Sequence, residues 1–210
     1  MTLLCNFLSA LRIASITPKR FLLQTGAKNY GGHLGPTLNP PVESDPRVDI
    51  EPNFYYPQED ALFEYCSETG AKWNVIRPAW IIGAVVNAQM NAIYGVGVYA
   101  AVQAHLGKTL EFPGSITDWT QEHAHSTAML TSYLSEWAVL EDACENQAFN
   151  ASDTAWTTWA RFWPELARFW PELARWFGAK DVGKPELDES KFKTLEMPYN
   201  PPPLGYDVHV

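Results

Sequence analysis

The chain has 210 residues, 46% hydrophobic and 13% aromatic, which suits one cored domain with or without a small appendage. Its formal net charge of −9 argues against a nucleic-acid partner, because phosphate backbones demand clustered Lys and Arg. Cys5, Cys66 and Cys144 are odd in number and widely spaced. They give no disulfide framework and no CxxC metal pattern, and point to reduced thiols and a cytoplasmic location.

No run reaches the ~18 apolar residues of a membrane span. The opening segment lacks a basic n-region, and Asn6 and Arg12 interrupt its apolar run, so it does not read as a signal peptide. Leu3, Leu4, Phe7, Leu8 and Leu11 fall at helical spacing and predict a helix over 2–14. Phe21–Gln24 reads as a short buried strand, ending in Thr25 and Gly26. Residues 29–52 are rich in Gly and Pro and predict a long loop, a feature that is usually functional or mobile. Further elements are expected as a helix from Tyr55 to about Cys66, a strand over Trp73–Arg77 closed by Pro78, and an apolar helix over Met90–Leu106. A short strand over Leu110–Phe112, a helix over Ser126–Ala143 and a last strand over Gln147–Asn150 follow.

Strands alternating with helices imply an α/β fold with parallel βαβ units. Ligands in such sheets sit at the carboxyl ends of strands. Thr25, Lys28 and Pro78 all fall just past predicted strand ends. A lysine beside a tyrosine lowers the phenol's pKa and makes it a proton donor near neutral pH. By themselves Tyr55 and Tyr56 read as ordinary amphipathic packing residues rather than as a catalytic pair. His123 and His125 read as surface histidines, since no Cys or carboxylate stands at a metal-ligand spacing. Glu59 and Asp60 are adjacent on a helix, do not face each other, and read as a solvated face.

Arg161-Phe-Trp-Pro-Glu-Leu-Ala167 repeats at once as Arg168-Phe-Trp-Pro-Glu-Leu-Ala174. Two copies are too few for a solenoid. If one helix spans both, Pro171 lies in its interior and forces a kink or a break. The tail 180–210 is Pro-rich and charged, and Pro201-Pro-Pro203 favours an extended polyproline conformation.

Three nearly continuous segments, in order, carry a resemblance: Phe21-Leu-Leu-Gln-Thr-Gly-Ala-Lys28, Asn53-Phe-Tyr55-Tyr-Pro-Gln-Glu-Asp60 and Arg77-Pro-Ala-Trp-Ile-Ile-Gly83. Together they resemble the progesterone 5β-reductase/iridoid synthase branch of the short-chain dehydrogenases, especially its fungal members, over roughly residues 3–180. The resemblance implies a partial Rossmann-like parallel sheet with flanking helices, lacking the N-terminal glycine-rich βαβ unit. Gly31-Gly-His-Leu-Gly35 follows the wrong strand and has the wrong spacing to replace that unit. The chain is therefore expected to be the later part of such an enzyme, shortened at both ends. Residues 1–150 are expected to form the later part of a Rossmann-like NAD(P)-binding domain. Residues 151–210 are expected to form part of a substrate-side helical region with a Pro-rich tail.

The resemblance also implies roles. Lys28 and Tyr55 correspond to the catalytic pair. Thr25, Gly26, Lys28, Pro78, Ile81 and Ile82 correspond to cofactor contacts, the cofactor being NADP(H) if the missing N-terminal half is supplied. Met90, Asn91 and Tyr94 correspond to the substrate side; as residues they equally describe a core-facing helix. The implied activity is NADP-dependent reduction of an activated C=C or C=O in a small apolar molecule, in secondary metabolism. The alternative is a truncated, catalytically silent relative that does not bind the dinucleotide by itself. A small carbonyl or enone substrate, no nucleic acid, no membrane and self-association through an exposed sheet edge complete the expectations.

Overall fold

A computed structural model describes residues 2–34, 40–83, 91–108, 110–153 and 156–168. They form two compact units: residues 2–34, 40–79 and 126–153 in the first, and 80–83, 91–108, 110–125 and 156–168 in the second.

The first unit is built on three parallel strands, β1 (Arg20–Gln24), β2 (Lys72–Pro78) and β6 (Gln147–Ala151), in the order β1-β2-β6. The register sets Leu23 beside Val75 and Ile76 beside Phe149. Side chains alternate across a pleated strand, so each face has its own set. Phe21, Leu23, Trp73, Val75 and Ala148 pack with Leu8 of α1 (Thr2–Ile13) and with Leu62, Tyr65 and Cys66 of α2 (Tyr55–Thr69). Leu22, Ile76, Phe149 and Ala151 pack with Leu134 and Ala138 of α5 (Ala128–Leu140). Helices thus cover both faces of a parallel sheet, the α/β arrangement expected from the alternating elements. Gly70, at φ 77, ends α2 in the left-handed region that glycine adopts without a Cβ penalty. Thr127 caps α5 by accepting from Leu130 N–H.

The second unit holds β3 (Trp80–Ile82), α3 (Ala92–His105), α4 (Ile116–Thr120), β4 (Glu122–His123), β7 (Thr157–Thr158) and α6 (Trp159–Arg168); β5 (His125–Thr127) leads from it into the first. Its core is Ala100, Ala104, Leu110, Phe112, Trp119, Trp163 and Leu166. The strand expected over Leu110–Phe112 does not form. Leu110 and Phe112 turn into this core, and the backbone carbonyls of Leu110 and Glu111 accept from Trp163 Nε1 and the Tyr99 hydroxyl instead of a neighbouring strand. In the first repeat copy, Pro164 lies inside α6, where it has no N–H to donate to the previous turn. Pro171 and the tail lie outside the described residues. No helix among the described residues is long and apolar enough to cross a membrane.

Candidate active site

β1 ends by donating Thr25 N–H to Ile76 O at 2.9 Å, so residue 25 still belongs to the sheet. Gly26 then opens a 3-10 turn over Ala27–Tyr30, closed by the left-handed Gly31. This turn carries Lys28 at the carboxyl end of β1. Tyr55 begins α2, with its phenol over Gly26: a Cβ added there would lie 2.9 Å from the Tyr55 hydroxyl. A side chain at residue 26 would have to push that ring aside.

Asn53 ties the two segments together. Its Nδ2 donates to Lys28 O at 3.1 Å, and its Oδ1 accepts from Tyr55 N–H at 3.1 Å. Tyr56 has a different task. Its hydroxyl donates to Asn29 O at 2.6 Å and accepts from Val48 N–H at 2.8 Å, all buried. The Tyr55 hydroxyl makes no hydrogen bond to another described residue. One tyrosine of the pair is therefore structural, and the other presents a free phenol.

The Lys28 ammonium lies 5.5 Å above the Phe54 ring and 3.8 Å from Glu51 Oε1, which also takes His33 Nε2 at 2.7 Å. Burial pushes the Tyr55 phenol above its ordinary pKa. This direction is the reverse of the lowering expected from a lysine neighbour: desolvation acts on the phenol, while the ammonium faces Glu51. Residues 49–54, with Tyr56 and Pro57, line a recess of about 400 Å³.

Two buried polar atoms beside the pair lack partners, Thr25 Oγ1 and Asn29 Oδ1. Buried polar groups are normally satisfied, so each of these awaits one. A hydroxyl, an amide oxygen and an ammonium around a glycine with no side chain fit the carboxamide and ribose of a nicotinamide dinucleotide. The residues present therefore suit that cofactor at the strand end.

A buried ionic network stands behind this site. Glu59, 1% exposed, takes Arg77 Nη2 at 3.1 Å and Arg47 Nη2 at 3.2 Å, while Asp60 meets Arg47 Nη1 at 2.8 Å in solvent. Glu59 is thus no part of a solvated face: it neutralises Arg77, which also donates to the Tyr30 hydroxyl at 3.2 Å. Tyr30 in turn donates to Asn150 Oδ1. Helix α2, strand β2 and the Lys28 turn are locked by these bonds. The role of Glu59 was not legible locally, because its two partners stand 18 positions downstream and 12 upstream.

Of the residues singled out from the sequence, Thr25, Gly26, Lys28 and Tyr55 are brought together, all in the first unit. Pro78 ends β2 in the same unit, two residues beyond the Thr25 contact. Ile81, Ile82, Asn91 and Tyr94 belong to the second unit. Asn91 caps α3: its Oδ1 accepts from Ile93 N–H, and its Nδ2 donates to Gly83 O. Tyr94 is exposed on α3. Met90 lies outside the described residues. Among the described residues no group of three metal-ligating side chains forms.

Residues 8–196 match the PRISE-like Rossmann-fold domain. The chain is 35% identical to 3-oxo-Delta(4,5)-steroid 5-beta-reductase of Arabidopsis thaliana, over 75% of this chain and 42% of that protein. It is 36% identical to an (S)-8-oxocitronellyl enol synthase of Nepeta cataria, over 76% of this chain and 42% of the relative. It is 35% identical to the short chain dehydrogenase gsfE of Penicillium aethiopicum, over 73% and 41%. The chain thus spans well under half the length of these relatives. In fold it is similar to the UDP-glucose 4-epimerase of Thermotoga maritima, with a TM-score of 0.58 at 18% identity, over 86% of this chain and 57% of that one. The UDP-glucose 4-epimerase of Thermus thermophilus, solved with NAD, gives 0.56 at 16% identity, over 88% and 56%. With the Lys28 turn, the Asn53–Tyr56 helix start and a parallel sheet flanked by helices in place, the chain belongs to the PRISE-like Rossmann-fold family.

Proposed function

We infer that the chain is the catalytic portion of an NADP-dependent reductase acting on an activated C=C or C=O of a small apolar molecule. The observation that carries this reading is the free Tyr55 phenol resting on Gly26 at a strand end, one turn from Lys28. Bound NADPH supplies the hydride. Thr25, Gly26 and Lys28 would hold the nicotinamide side at the end of β1, and we assign Pro78, Ile81 and Ile82 to the same cofactor. Hydride addition leaves negative charge on the substrate oxygen, and the Tyr55 hydroxyl donates to it there. The raised phenol pKa keeps that proton on Tyr55 at neutral pH, so the group acts as donor. Lys28 would hold the ribose of the cofactor, and its ammonium would add positive charge to the site. Asn91, Tyr94 and Met90 are assigned to the substrate side.

Among the described residues no glycine-rich strand–turn–helix is available to hold a pyrophosphate. We assign that part to a further segment, in this polypeptide or another. The same observation favours a second reading, a catalytically silent relative. NADPH titration separates the two. Micromolar binding by the purified chain alone argues against the silent relative. Fusing the glycine-rich segment of a close relative should give NADPH binding and enone reduction. A folded fusion that does neither overturns the reductase reading.

A further inference from the structure

The second unit encloses two imidazoles in an aromatic cage. His123 on β4 and His125 on β5 are two residues apart, so extended backbone sends their side chains to the same side. Their ring centroids are 4.8 Å apart at 77°. Trp159 of α6 lies 5.1 Å from the His123 ring and 6.4 Å from that of His125. Phe162 stacks on His125 at 5.2 Å, and Trp80 of β3 stands 6.4 Å from His123. His125 is 9% exposed. His123 Nε2 is buried without a hydrogen-bond partner, while its Nδ1 lies 3.3 Å from Gln121 O. The pair sits where α6 joins the unit: β4 pairs with β7 through His123–Thr157 and Glu122–Thr158, and α6 begins at the next residue.

This cage suits neutral rings. A protonated imidazole here loses its water, and among the described residues it has no ion-pair partner. β3 and β7 carry no ionisable side chain. Asp118 on α4, Glu122 on β4, and Arg161, Glu165 and Arg168 on α6 are the charged residues of the surrounding elements. Asp118 is engaged with Ser115 in its own capping box. Burial pushes both histidines below their ordinary pKa; the Gln121 carbonyl partly offsets this for His123, and His123 lowers His125 further. Among the described residues, no carboxylate contributes to the shift of either ring.

We propose that His123 and His125 form an acid-sensitive latch: β7 and α6 stay docked on β4 while both rings are neutral, and protonation releases them. The sign follows from linkage. A released histidine titrates near its ordinary value of about 6.5, the docked ones lower. As pH falls through about 6.5 the released state binds more protons and gains population, by up to about tenfold per pH unit for each ring. The gain stops below the docked pKa values, and above about pH 7 the latch confers no pH dependence. Release uncovers Phe112, Trp119 and Trp163, an aromatic cluster with centroids 5.1–5.2 Å from Phe112.

Hydrogen exchange read by mass spectrometry on the whole chain, corrected for the intrinsic pH dependence of exchange, tests this. Between about pH 7.5 and 5.5, protection of residues 157–166 should fall by about tenfold or more, while the β1, β2 and β6 strands stay protected. The double variant His123→Phe/His125→Phe keeps aromatic rings in the cage and should abolish the acid loss. Proton NMR of the wild-type imidazole Cε1–H should show both rings titrating below the ordinary histidine value. Protection that does not change with pH, an equal acid loss in the double variant, or both rings titrating at about 6.5 would each overturn the latch. Should the double variant not fold, the imidazole titration decides alone.

Discussion

The Tyr55 hydroxyl occupies the space that a side chain at Gly26 would need, 2.9 Å from the position of its Cβ. The backbone at Gly26, φ 177, is extended and open to any residue, so a side chain there would disturb the contact with Tyr55 and not the backbone. Gly26→Ala should therefore fold, with the phenol pushed aside. A displacement of about 1 Å costs on the order of 10²-fold in rate. In the fused, active reductase, turnover should fall by about that factor. A melting temperature within a few degrees of the parent separates displacement from unfolding. Unchanged turnover would show that the phenol is not the proton donor.

The adjacent tyrosines should separate chemistry from stability. Tyr55→Phe removes a hydroxyl with no hydrogen-bond partner among the described residues, so urea denaturation should move little, while turnover of the fused enzyme falls about 10²–10³-fold. Tyr56→Phe strands the Asn29 carbonyl and the Val48 N–H, both buried, and should cost about 1–3 kcal/mol of stability. Its effect on turnover should be much smaller. The reverse pattern would shift the assignment by one residue.

Glu59 and Asp60 make a similar contrast between neighbours. Glu59→Ala leaves Arg77, 8% exposed, without a counter-charge and should destabilise the first unit by about 3–5 kcal/mol. Asp60→Ala removes an exposed partner of Arg47 and should cost no more than about 1 kcal/mol. Equal effects in chemical denaturation would mean that the ion pair does not hold α2 to β2.

The site was legible where contacts are local or where a motif runs unbroken. Apolar runs at 21–24 and 73–77 marked β1 and β2, and the turn residues after Gln24 marked the strand end that carries Lys28. Its environment was not legible. Glu51 reaches Lys28 from 23 positions away through a loop with no periodicity, so the sequence suggested a lysine acting on a phenol where the fold shows an ion pair. Asn53 lay within the quoted motif, yet its partner carbonyl is 25 positions distant. Leu110-Glu-Phe112 alternates like a strand, but alternation cannot tell a ladder from a loop whose carbonyls accept from Trp163 and Tyr99. β4 and β7, two residues each, are too short to produce a period at all.

The repeated heptad offers the last test. Trp163, in the first copy, is 1% exposed, donates Nε1 to Leu110 O at 3.1 Å and contacts Phe112 and Trp159. Trp163→Ala should cost about 3–5 kcal/mol and loosen the second unit. Deleting residues 161–167 should do far less, despite removing that same tryptophan. The deletion joins Ala160 to Arg168-Phe-Trp-Pro-Glu-Leu-Ala-Arg175, which restores the residues of the original helix in the original order. Trp170 then arrives at the place of Trp163, and Leu173 at that of Leu166. Stability of the second unit should stay within about 0.5 kcal/mol, since the core composition is unchanged. A loss as large as that of Trp163→Ala would mean that residues beyond Arg168 support the core in a way one copy cannot. Thermal denaturation of the deletion, Trp163→Ala and the parent under identical conditions decides between the two.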